Sequence, residues 1–66
     1  MQLKSGDLIT HRCGYRAVVL TVEETSVRIC VFYHPDWSPK HRTPEIWRLE
    51  PWYLDPEYVA RGENGV

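Results

Sequence analysis

Two sulfurs and two imidazoles stand at short spacings in this chain, as His11-x-Cys13 and Cys30-x-x-x-His34. Four such donors are in principle enough for tetrahedral zinc. The pattern lacks a Cys-x-x-Cys knuckle, Cys30 falls inside an alternating apolar run, and a free cysteine is commonly a small buried hydrophobe. No metal and no other cofactor is expected. The histidines at 11, 34 and 41 accompany no serine or cysteine in a nucleophile elbow, and Asp36, Glu45, Asp55 and Glu57 show no spacing that pairs them for acid–base work. A chain of 66 residues also has little room for a water-excluding pocket, so the sequence argues against an enzyme.

Binding chemistry is better represented. Arg12 and Arg16, with His11, flank one glycine-containing loop, and Lys40, His41, Arg42 and Arg48 lie in and just after a second, proline-rich one. If the fold brings both loops to one end, Tyr15 and Trp37 stand beside cations that can hold phosphates, the combination of backbone charge and base stacking that grips single-stranded nucleic acid. The candidate site is therefore Arg12, Tyr15, Arg16, Trp37, Lys40, Arg42 and Arg48; its structural alternative is a solvated loop end with arginine stems lying over rings. A second reading makes Tyr33, Trp37, Trp47, Trp52 and Tyr53 an aromatic groove for a peptide or a modified lysine. Against it stands the need of a small domain for large side chains to seal its core.

Composition limits these options. The apolar share of 42% and charged share of 26% are those of a globular domain, and a chain this short supports one core of thin margin. Three Trp, four Tyr and one Phe are expected to carry much of that core. A formal net charge of −1 gives no overall field toward nucleic acid, yet the charge is uneven: Glu50, Asp55, Glu57 and Glu63 make the C-terminal quarter acidic and leave the rest mildly basic. No apolar signal core opens the chain and no window is long enough for a membrane span, so no membrane partner is expected and the cytoplasm is the default location. Cys13 and Cys30 are expected to remain thiols there.

The elements that would position these residues are strands. Leu8-Ile9-Thr10-His11 follows Gly6-Asp7 as a short first strand. Residues 17–22 and 26–33 both alternate around the polar turn Glu23-Glu24-Thr25, which predicts a β-hairpin with Val27, Ile29 and Val31 on one face. His34 to Pro44 holds three prolines and must be an exposed loop. Glu45-Ile46-Trp47-Arg48-Leu49 reads as a fourth strand, ended by Pro51. Asp55-Pro56-Glu57, closing on Arg61-Gly62, carries the signals of one helical turn, α or 3₁₀. Residues 1–61 thus form one domain and 62–66 a fraying tail.

The segments Gly6-Asp7-Leu8-Ile9, Gly14 to Leu20, Val27 to Val31 and Trp47-Arg48-Leu49-Glu50 resemble, over residues 6–50, the SH3-like barrels related to KOW and Tudor modules, particularly the small stand-alone versions of phages and bacteria. Gly14-Tyr15-Arg16 followed by valines is also similar to the barrel family of heat-shock proteins that bind hemimethylated DNA. The resemblance implies an all-β SH3-like barrel of four to five antiparallel strands with a short C-terminal helical turn. It further implies a partner among RNA, DNA, ribosomes, polymerase or other proteins. The combined expectation is a non-enzymatic binding module that contacts nucleic acid or a nucleic-acid-handling complex. The rival is a protein-interaction adaptor, or phage-type host regulator, using an aromatic face and the acidic C-terminal segment. A free sheet edge allows a monomer or a weak homodimer.

Overall fold

A computed structural model describes residues 3–61, and the tail expected over 62–66 lies outside the described residues. The strands are β1 (Leu8–His11), β2 (Arg16–Val22), β3 (Val27–Tyr33), β4 (Glu45–Leu49) and β5 (Val59–Arg61), with a 3₁₀ turn at Pro51–Leu54. They form one antiparallel sheet in the order β4-β3-β2-β1-β5. The all-β architecture expected from the alternating runs is present. No helix among the described residues is long and apolar enough to cross a membrane.

Local chemistry explains where the chain reverses. After β1, Gly14 adopts φ +110°, a region closed to most side chains. The reversal is tied by His11 N–H to the Tyr15 carbonyl at 2.9 Å and by Gly14 N–H to the His11 carbonyl at 2.8 Å. Between β2 and β3, Glu23 N–H donates to the Ser26 carbonyl at 2.8 Å, so the predicted polar turn closes the hairpin. Asp7, 8% exposed, accepts from the Lys4 N–H at 2.9 Å and pairs with Arg61 at 3.3 Å, which ties the start of β1 to the end of β5.

Two irregularities in the β2–β3 ladder bend the sheet. Arg16 faces Tyr33 and Ala17 faces Val31, leaving Phe32 unmatched; Val19 faces Ile29 and Thr21 faces Arg28, leaving Leu20 unmatched. Such bulges sharpen twist and curl a sheet toward one face. The Ser5 hydroxyl donates to the Leu20 carbonyl at 2.8 Å and so satisfies the backbone at one of them. Among the described residues no ladder joins β4 to β5, so the sheet curls without hydrogen-bonded closure.

The interior differs from the sequence expectation. It is built from Ile9, Ala17, Val19, Val27, Ile29 and Val31, with Leu54 and Val59 sealing it. Of the aromatic side chains only Tyr15 is buried; Trp37, Trp47 and Tyr58 pack against the core from its rim, and Trp52 and Tyr53 are exposed. The concave side of so small a sheet accepts β-branched side chains, whereas an indole needs more width than facing strands leave. On β2 the smaller face, Ala17 and Val19, turns inward while Leu20 stays outside.

The helical turn lies one segment earlier than residues 55–62. Pro51 opens it, Leu54 is its buried residue, and its last amide bond runs from Asp55 N–H to the Trp52 carbonyl at 3.1 Å. Asp55 to Tyr58 is a tight turn, with Tyr58 N–H on the Asp55 carbonyl at 2.8 Å, and the chain then extends as β5. A single helical turn has little stability of its own. The open edge of β1 offers ladder partners instead, Thr10 to Ala60 and His11 to Val59.

Candidate functional site

The ladder registers decide which loops meet. Arg16 at the start of β2 faces both Thr10 on β1 and Tyr33 at the end of β3; Val31 faces Glu45 at the start of β4; His11 faces Val59 at the start of β5. The loops 12–15 and 34–44 and the turn 55–58 therefore gather at one end of the sheet. Arg12, Arg16, Lys40 and Arg42 are exposed there, so the convergence on which the sequence argument depended is present.

Between these cations runs a file of aromatic and imidazole rings. Tyr58 stacks on His11 at 6.2 Å, His11 on Tyr15 at 4.6 Å, Tyr15 on His34 at 6.1 Å, His34 on Trp37 at 6.0 Å and Trp37 on His41 at 3.9 Å. Trp47 meets Tyr15 edge-on at 5.0 Å, an arrangement favoured by ring quadrupoles. All three histidines belong to the file, and each also fixes its own turn. The Cys13 N–H donates to His11 Nδ1 at 3.2 Å, the Asp36 N–H donates to His34 Nδ1 at 3.1 Å, and His41 Nε2 lies 2.6 Å from the Thr43 carbonyl. Each partner is two residues downstream. The histidines are thus brackets that stiffen loops while they stack. The signal was present in His11 with Tyr15 and in His34 with Trp37, each close enough in sequence to meet across a turn.

The individual candidates differ in where the fold places them. Trp37 is half-buried, stacked closely on His41 at 3.9 Å and more loosely against His34 at 6.0 Å. Arg12 and Arg16 lie over the rings of Tyr58 and Tyr33, each guanidinium 6.0 Å from the ring centre. Tyr15 is 5% exposed and covered by His11, His34 and Trp47. Its ring cannot receive a base and instead positions the rings that can approach solvent. Arg48 is paired in register with Arg28 and stands three residues along β4 from Glu45, about 10 Å from the loop end at strand rise. It belongs to the sheet's outer face, not to the loop cluster.

The second aromatic set does not form one groove. Trp52 and Tyr53 stack on each other at 3.9 Å in the 3₁₀ turn, Tyr33 lies beside Arg16, and the Trp47 indole N–H donates to Glu45 at 3.0 Å. The zinc quartet is divided as well. His11 Nδ1 and Cys13 Sγ are 3.1 Å apart, but Cys30 lies mid-strand opposite Ile46. Among the described residues no three of His, Cys, Asp or Glu gather closely enough to hold a metal.

Burial, and then Cys13, push the Tyr15 phenol up to about 12, so it is a neutral hydroxyl throughout the neutral range. Burial, and then the Arg12 guanidinium, hold His11 below its ordinary value of 6.5. Protonation at Nδ1 would also break its bond from the Cys13 amide. The unfolded chain consequently takes up this proton first, and stability falls as the pH drops through 6.5. His11→Phe, which keeps a ring in the file, is expected to show a smaller loss of melting temperature than the wild type between about pH 7.5 and about pH 5. Equal losses in the two proteins would place the titration elsewhere.

Beside His11 and Arg12, Glu57 and Tyr58 help line a shallow open groove of about 320 Å³. Comparison with known protein families, with curated proteins and with solved structures finds no match.

Proposed function

We propose that this chain is a non-enzymatic binding module of the SH3-like barrel type that grips single-stranded nucleic acid with its loop end. The strand order β4-β3-β2-β1-β5, with the 3₁₀ turn between β4 and β5, supports the barrel reading. The observation that carries the binding reading is the gathering of exposed Arg12, Arg16, Lys40 and Arg42 around the ring file that ends in Trp37 and His41. Phosphates would meet the cations, and a splayed base would stack against the exposed part of Trp37. The loops are held in advance by the histidine brackets, so little ordering remains to oppose binding.

The thiol–imidazole pair of Cys13 and His11 does not favour catalysis. Nδ1 of His11 is engaged by the backbone of Cys13 itself, and among the described residues no carboxylate is hydrogen-bonded to the ring to orient it as a base.

Fluorescence anisotropy with short labelled oligo-dT and oligo-U tests the proposal. If about three phosphates are engaged, affinity should weaken by about tenfold to twentyfold between about 50 mM and about 200 mM salt. The double variant Arg12→Glu with Arg42→Glu should lose most of the binding and the salt dependence, with Trp37→Ala reducing affinity without changing the salt slope. No binding of either oligonucleotide at the lower salt would refute it.

A further inference from the structure

The outer face of the sheet carries a second surface, away from the loop end. The registers place Leu8, Val18, Cys30 and Ile46 side by side in one row across β1, β2, β3 and β4. Leu8 is 38% exposed and Ile46 61% exposed, and Val18 and Cys30 between them are only partly covered. The bulges add to the stripe, since Phe32 and Leu20, the unmatched residues, are also exposed.

Arginine borders this stripe on both sides. One row toward the loop end runs Thr10, Arg16, Tyr33, and one row toward the hairpin runs Thr21, Arg28, Arg48. None of the three rows contains a carboxylate. Arg28 and Arg48 face each other directly, an arrangement of like charges that costs stability in a sheet, and neither makes an ion pair among the described residues. An apolar row between uncompensated guanidiniums is complementary to a ligand that is apolar along its middle and anionic along both margins.

The dimensions select the form of that ligand. Four strands about 4.8 Å apart make the stripe about 14 Å long, and the arginine rows stand about 7 Å to either side. Apolar positions i, i+4, i+7 and i+11 of an α-helix span about 16 Å, and acidic side chains on its flanks reach out about 5–6 Å from the axis. We infer that this face docks an amphipathic α-helix of a partner protein, laid across the strands, with leucine-type side chains over Leu8, Val18, Cys30 and Ile46 and carboxylates meeting Arg16 on one flank and Arg28 and Arg48 on the other. The two readings share only Arg16, at the loop-end margin of the stripe; Leu8, Val18, Cys30, Ile46, Arg28 and Arg48 are on the sheet's outer face, apart from Lys40, Arg42 and Trp37.

The test is an NMR titration of the full ¹⁵N-labelled chain with a synthetic helix of about 16 residues carrying a leucine stripe and glutamate flanks, compared with the same stripe flanked by lysine. Saturable shifts are expected at Leu8, Val18, Arg28, Cys30, Ile46 and Arg48. The lysine peptide should bind at least about tenfold more weakly. The pair Ile46→Glu with Arg48→Glu, both exposed, should abolish binding with the dispersed spectrum of the folded chain retained, whereas Arg12→Glu with Arg42→Glu should leave it intact. The inference is overturned by no shifts up to about 1 mM peptide or by equal binding of the lysine peptide. It is equally overturned if the shifts fall at Trp37, Lys40 and Arg42, if the amides of Leu8, Cys30, Ile46 and Arg48 respond to oligo-dT instead, or if they shift with protein concentration alone, which would make a second copy the occupant.

Discussion

Replacing Ile29 by alanine is expected to destabilise the chain by about 3–4 kcal/mol, the range for a fully buried aliphatic residue whose cavity cannot collapse. Ile29 is 0% exposed and sits in register between Val19 on β2 and Trp47 on β4, so it is central both along its strand and across the sheet. Its neighbours are held by ladder hydrogen bonds and cannot move in to fill the space. A domain this small commonly has only about 3–5 kcal/mol to lose. The variant should therefore be largely unfolded at room temperature, with Ile29→Val losing only about 1 kcal/mol. Urea unfolding followed by circular dichroism distinguishes the cases, and an Ile29→Ala midpoint close to that of the wild type would mean that the aliphatic row is not the core.

The second large effect belongs to a residue with no side chain. Gly14 has φ +110°, and a Cβ placed there would lie 3.0 Å from Cγ of Pro35. Gly14→Ala is expected to cost about 2–3 kcal/mol, combining backbone strain with that contact. Gly6 is the internal control: its φ is +94°, but nothing lies within 4 Å of the added carbon, so Gly6→Ala should cost only the backbone part, about 1–2 kcal/mol. Equal costs in thermal melts would show that the contact with Pro35 is immaterial. Gly14 also lets loop 12–15 sit against loop 34–44, and displacing Pro35 shifts His34 and Trp37 behind it. Oligonucleotide affinity should therefore fall in Gly14→Ala even at a temperature where the variant is fully folded, and should not fall in Gly6→Ala.

The sequence spoke clearly where one face of a strand differs from the other. Val27, Ile29 and Val31 alternate with Arg28 and Cys30, and the period of two specifies the strand and its buried side together. It was silent on β2, where Ala17 and Val19 are no more apolar than Val18 and Leu20; there the choice of face is made by the partner strand. It misplaced the helical turn because Pro51 and Pro56 carry the same local preference, and only the free edge of β1, a long-range fact, draws residues 59–61 into a strand. Arg12, Arg16, Lys40 and Arg42 were legible as a cluster once the two loops were assumed to meet. Tyr15 and Arg48 were not correctly placed, since burial of the first and the in-register partner of the second depend on which strands become neighbours.

Because no ladder among the described residues joins β4 to β5, the described sheet ends in two rows of unshared amide and carbonyl groups, the kind of border along which chains at high concentration recruit one another into fibrils. This border is kept short at β4, which has five residues closed off by Pro44 before it and Pro51 after it, and β5 is preceded by Pro56. Prolines at these limits deny an incoming strand the length it would need to register, so the gap that leaves the sheet unsealed carries its own protection against intermolecular growth.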